Sequence, residues 1–312
     1  MGEKITRRSF IRKGAVLGAS SLFLNRFPEK IYPESTLEIP DISVVTGTDY
    51  YKNTIEAVSK IGGMKKYVGK GAKVAVLANP QRPNPGAFTS PLVAGAVTEM
   101  CLNAGALSVT FISWMPVKAW EATGLKQTVE KAGGKLETVD LRDESMFKPV
   151  PVPQGKILKE ARVMKNLFKH DILINVPVTK DHIGNKFTGT MKNLMGLNSP
   201  KNNRTFHKSD WKTNRNSIIH LDQSIADLNT IITPALSIVD ATEFIITNGP
   251  FGPGKLLKPQ KVIAGTDRIA IDSYCCKLWG LNPGDIVMIK KGFEHGLGNI
   301  DLSLLKISET SV

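Results

Sequence analysis

The chain has 312 residues, of which 41% are hydrophobic, 22% charged and 7% aromatic, a composition that excludes a disordered, collagen-like or multi-span membrane protein. Its formal net charge is +13; the first thirty residues hold seven cations and two anions, and the remainder, 34 cations against 26 anions, still carries +8. That balance favours acidic or phosphorylated small partners. The cations are scattered rather than gathered into a stripe with interleaved aromatics, so no nucleic-acid partner is expected. Cys101, Cys275 and Cys276 show neither metal-ligand spacing nor a disulfide framework, and the adjacent pair reads as buried hydrophobes.

In chain order, Thr6-Arg7-Arg8-Ser9-Phe10-Ile11-Arg12-Lys13 precedes an apolar run from Ala15 to Leu24, shorter than the roughly 20 residues of a spanning helix. Paired arginines, then Phe, then a weakly hydrophobic Gly/Ala/Ser stretch resemble a twin-arginine export signal. The resemblance implies the export machinery as a partner, a periplasmic or cell-envelope location, and membrane contact only through residues 1–30 if they are retained. Residues 31–41, with Pro33 and Pro40, read as a linker.

Folded structure is expected from Ile42. Lys73–Ala78 is a continuous apolar run, as in a strand buried on both faces of a parallel sheet. A helix is predicted over 90–104, a strand over 108–112, a helix over 123–133 and a strand over 136–140. Prolines interrupt the pattern over 146–155. Further strands are predicted over 157–163, 171–177, 236–239, 243–246 and 261–264, with helices over about 217–232 and 268–280. The alternation indicates an α/β fold of two lobes: a Rossmann-like parallel sheet over 42–155, then a second α/β domain over 156–312 carrying the site loops.

Ligands of open α/β sheets sit beyond the carboxyl ends of strands, and three such places are unusually polar: Asn79 to Pro83, Pro177 to His182, and Thr247 to Gly252. Beginning in the second, Lys180 to Gly196 packs His182, three lysines (Lys180, Lys186 and Lys192) and Thr188-Gly189-Thr190 into one segment. A helix starting at Thr188 or Gly189 would offer free N–H groups to an anion, with Thr190 and Lys192 assisting. His182 suits a general base or metal ligand. Lys192 suits an anion or, when desolvated, nucleophilic attack. Arg82 offers a planar fork for carboxylate or phosphate, and Asn79, Lys180, Thr188 and Asn248 complete the anion-binding candidates. His207 is a candidate metal ligand, and Lys201–Arg215, with Trp211, is expected to be a mobile lid. Asp240, Asp267 and Asp272 read as catalytic partners or helix caps, with capping expected for Asp267.

Gly71-Ala-Lys-Val74 with Asn79, Lys180-x-His182, Thr190-x-Lys192-Asn193-Leu194-x-Gly196, Asp240 with Asn248-Gly249-Pro250, and Gly265-x-Asp267-x-x-Ala270-x-Asp272 resemble the domain of unknown function 362 family over about residues 42–308. Some members carry an iron–sulfur segment; the cysteines here do not match it, and no cluster is expected. Arg82-Pro83, His182, Lys192 and His207 also resemble, in order and spacing, the nickel-pincer lactate racemase family. That likeness implies Arg82 as phosphate or substrate holder, His182 as acid/base, Lys192 as cofactor attachment point and His207 as metal ligand. Where that family has its other catalytic histidine, this chain has Trp114-Met115-Pro116, which implies a related fold with different chemistry. The expected function is therefore an exported protein whose interlobe cleft holds an anionic small molecule or organometallic cofactor and could support oxidoreductase- or isomerase-like chemistry, with a non-catalytic envelope binding protein for an anionic ligand as the alternative.

Overall fold

A computed structural model describes residues 39–312. The signal expected over 1–30 and nearly all of the linker expected over 31–41 lie outside the described residues. Among the described residues, no helix is long and apolar enough to cross a membrane.

The first strand, β1 (Ile42–Thr46), leads into α1 (Tyr50–Lys60). Then come β2 (Lys73–Ala78), α2 (Pro91–Asn103), β3 (Ser108–Ser113), α3 (Val117–Ala122), α4 (Leu125–Lys131) and β4 (Lys135–Thr138). A ribbon of β5 (Phe147–Pro151) and β6 (Glu160–Met164) precedes β7 (Ile172–Val176). The polar segment after β7 contains a single helical turn, α5 (Thr190–Asn193), and is followed by α6 (Pro200–Phe206) and α7 (Arg215–Leu228). The chain closes with β8 (Leu236–Ala241), β9 (Phe244–Ile245), β10 (Leu256–Leu257), β11 (Lys261–Gly265), α8 (Arg268–Lys277), α9 (Val287–Glu294) and β12 (Ile307–Ser311).

Eight strands form one mostly parallel sheet in the order β12-β1-β11-β8-β7-β2-β3-β4. The pairs β7·β8, β7·β2, β2·β3 and β3·β4 are parallel, whereas β11 runs antiparallel to both neighbours. The alternation of β2 explains its unbroken apolar run. Val74, Val76 and Ala78 pack with Ala57, Val93, Val97 and Trp120 on one face, while Ala75 and Leu77 pack with Leu194, Ile225 and Ile271 on the other. Helices thus cover both faces, the doubly wound arrangement.

The two stretches expected as lobes contribute strands to this one sheet. Ile172–Val176 lies hydrogen-bonded between β2 of the first stretch and β8 of the second, because β7 is apolar on both sides and must be flanked. Residues 39–312 accordingly form one compact unit. The prolines over 146–155 do not end regular structure either: Pro149 and Pro151 lie in β5, opposite Arg162 and Glu160 of β6. In a two-stranded ribbon every strand is an edge, where proline is tolerated. The strand predicted over 243–246 leaves the main sheet and pairs with β10 instead.

Strand order reverses at the β2/β7 boundary, since the chain runs outward from β2 through β3 to β4 on one side and from β7 to β8 on the other. The carboxyl ends of strands at such a reversal splay their following loops apart and leave a crevice.

Candidate functional site

A cavity of about 560 Å³ opens at that crevice. Asn79 and Gln81 reach it from the loop after β2, Trp114 and Met115 from the loop after β3, and Lys180 and His182 from the segment after β7. Thr188 and Lys192 add a wall, and the segment expected as a lid contributes Arg204, His207, Trp211 and Lys212. Among the described residues, no aspartate or glutamate lines it.

Lys180 is fully buried. Its Nζ donates to Ala87 O at 2.6 Å, Gln81 Oε1 at 3.1 Å and Asn79 Oδ1 at 3.4 Å, so its three donors are spent on neutral oxygens. Burial, with Lys192 nearby as a second cause, pulls its pKa down to about 7. Lys192 is also buried, and its Nζ has no hydrogen-bond partner. Burial lowers it to about 8, while the charge of Asp222 pulls the other way. Asp222 sits behind this wall on α7, accepting from Asn185 Nδ2 at 2.8 Å and Met288 N at 3.2 Å, and burial raises it to about 6.

Both cavity histidines have assignable tautomers. His182 Nδ1 lies 2.7 Å from Ile183 O and His207 Nδ1 lies 2.9 Å from Asn203 O. A carbonyl only accepts, so each Nδ1 carries the proton and each Nε2 keeps its lone pair. Burial and then the Lys192 charge hold His182 well below the usual imidazole range and bring His207 to about 4, so both rings are neutral at pH 7. Trp211 wedges between them, its ring centroid 5.3 Å from His182 and 4.8 Å from His207.

Three expected residues lie elsewhere. Arg82 is exposed, with its guanidinium 5.4 Å from the ring of Phe251 at the cavity rim, because the proline-bounded loop turns it outward. Asn248 is exposed with φ 56° and donates to Pro253 O. Its loop acts through Gly249, whose N–H donates to Asp181 Oδ2 at 2.7 Å. A Cβ on Gly249 would fall 1.8 Å from Asp181 O, so only glycine lets this loop brace the Lys180–His182 segment. Thr190 is buried outside the cavity, its Oγ1 donating to Arg268 O.

The anion expected at the start of α5 is one of the chain's own side chains. Asp272 of α8 accepts from Thr190 N at 2.6 Å and Met191 N at 3.1 Å, which satisfies the free amides and closes that position to a ligand. Gly189 is required by space here: a Cβ would lie 2.2 Å from Asp272 Oδ1. The other aspartates anchor backbone too. Asp267 caps α8 through Ala270 N at 2.9 Å, as expected, and Asp240 accepts from Ser90 N and from Thr242. Cys275 and Cys276 are buried free thiols.

Sequence reasoning did not single out Gln81 or the indole of Trp114 as parts of the cavity, nor Asp222 behind its wall. Asp222 had a signal, since it interrupts the apolar face that α7 makes with Leu221, Ile225 and Leu228. Trp114 had only its place directly after β3.

Residues 73–277, more than half of the chain, match the family described as Domain of unknown function (DUF362). The chain belongs to the DUF362 family. A thylakoid-associated protein of Synechocystis, sll1697, is 24% identical over 266 residues, spanning 80% of this chain and 77% of its own. Among solved structures, the lactate racemase apoprotein from Thermoanaerobacterium thermosaccharolyticum aligns with a TM-score of 0.45 and 14% identity, over 72% of this chain and 53% of its own. A Thermotoga maritima protein aligns with a TM-score of 0.41 and 15% identity, over 62% and 51%. This DUF362 chain spans about half the length of those two structures.

Proposed function

We propose that this DUF362 protein binds a small organic anion in the cavity at the β2/β7 reversal. One observation carries the reading: three buried groups on the cavity wall, Lys192 Nζ, Thr188 Oγ1 and Trp114 Nε1, have no hydrogen-bond partner. Two of them are donors only and the third can donate. Leaving such groups unsatisfied costs about 1–3 kcal/mol each, more for a charged one, and a carboxylate or phosphate would satisfy them together. The acid-free lining, with Arg204 and Lys212 added, favours the same charge.

The expected result is that phosphate or acetate raises the melting temperature above a chloride control of equal ionic strength, while choline does not. Stabilisation should approach about 2.7 kcal/mol at a hundredfold excess over Kd. No response to any of these anions would overturn the proposal.

The cofactor implied by the racemase resemblance fits incompletely. Lys192 and His207 line the cavity, but Arg82, the phosphate holder by that resemblance, is outside it. Among the described residues, no group of three or more His, Cys, Asp or Glu side chains converges as a metal site.

Export remains part of the proposal and rests on Arg7 and Arg8 with the apolar run after them. Replacing both with lysine should leave the protein in the cytoplasmic fraction of a host with twin-arginine export. Unchanged envelope recovery would remove this part and leave the cavity reading intact.

A further inference from the structure

We propose that Lys192 is a nucleophile that forms an imine with a small carboxylate bearing a reactive carbonyl, of the 2-oxo acid class. The inference rests on the anion-binding reading above and adds a bond-forming step to it. The two buried lysines of the cavity differ in what their nitrogens already do. Lys180 donates to three oxygens, which fix its nitrogen in place and leave it no free approach to a carbonyl carbon. Lys192 is held by no hydrogen bond, although its side chain is buried on the same wall.

An ammonium without acceptors is poorly solvated, the setting in which a lysine amine becomes a nucleophile; the Asp222 carboxylate behind the wall opposes this but does not outweigh burial. The lowering of Lys192 to about 8 agrees with this environment. Arg204 and Lys212 on the cavity lining would hold the carboxylate of the reactant. Thr188 Oγ1 and Trp114 Nε1 supply donors for an oxygen on the adjoining carbon.

The step balances without an oxidant or reductant. The lone pair of Lys192 Nζ attacks the carbonyl carbon, and the carbonyl π pair moves to oxygen. One proton leaves the nitrogen; the neutral His182 Nε2 lone pair on the same cavity is available to take it and return it to oxygen. The carbon–oxygen bond of the carbinolamine then breaks, the nitrogen loses its remaining proton, and water departs as the carbon–nitrogen double bond forms. Hydrolysis reverses the sequence.

The test is reductive trapping of the full chain with pyruvate and sodium cyanoborohydride at pH 8, read by intact mass and peptide mapping. Melting temperatures with pyruvate and with lactate, which lacks the carbonyl, are measured in parallel. The expected product is one pyruvate-derived group per chain, on the peptide containing Lys192. It should be lost in Lys192→Arg and kept in Lys118→Ala, an exposed control. An amine with a pKa of about 8 is about a hundredfold richer in neutral form at this pH than an ordinary lysine, so labelling at Lys192 should lead surface labelling, by less than that factor because a less basic amine is a weaker nucleophile. If both acids raise the melting temperature but label is absent from Lys192, or is spread over exposed lysines, the imine is overturned and anion binding stands. If neither acid stabilises the protein and no label forms, both readings fall.

Discussion

Replacing Lys192 with methionine is expected to abolish the thermal response to phosphate and acetate while leaving the chain folded. It should also remove a pH dependence present in the wild type. The ammonium sits buried with no hydrogen-bond partner, and its pKa falls from 10.5 to about 8 in the folded chain. A lysine lowered on folding binds fewer protons in the native state than in the unfolded state between those two values. Stability therefore rises with pH across that interval, and the penalty is fully present below it. Between pH 8 and 10.5 the wild type should gain about 2–3 kcal/mol relative to Lys192→Met. Urea midpoints of the two proteins across this range measure it, and a constant gap would show that Lys192 is solvated.

The second large effect is expected at Asp272, which never touches the cavity. Its carboxylate accepts from the amides of Thr190 and Met191, and it is fully buried. In Asp272→Ala two N–H groups lose their acceptor where water has no access. At about 1–3 kcal/mol for each unsatisfied group, the expected destabilisation is about 3–5 kcal/mol, a large share of a total of roughly 5–15. Asp272→Asn keeps one acceptor oxygen and should lose about half as much. Because α5 carries Lys192, the anion response should weaken in proportion in both variants. A midpoint unchanged in Asp272→Ala would show that the turn holds itself.

The same contrast explains what could be read from residues alone. Strands β2, β3, β7, β8 and β11 were legible because burial on both faces writes a continuous apolar run. The sequence ISETS of β12 was not, since an edge strand mixes polar and apolar positions and pairs on one side only. In the site, Lys180, His182, Thr188 and Lys192 were legible as a polar cluster directly after a buried strand. Arg82 misled because a local pattern gives a residue's chemistry without its direction, and proline on either side turned it away. Thr190 misled for another reason: the partner of its amide lies 82 residues further on, in Asp272. Asp222 approaches Lys192 through a similarly distant packing of α7 that spacing does not reveal.

The pairing of β1 with both β11 and β12 means that the cooperative unit is larger than the segment by which the family is known. Residues 73–277 contain β11 and its neighbour β8 but not β1, which pairs along its other edge, so a fragment trimmed to those limits would bare five residues of backbone donors and acceptors along one border. Such a border recruits other chains. Boundaries for expression or domain grafting should therefore be drawn outside Ile42 and Ser311, where the ladder itself finishes.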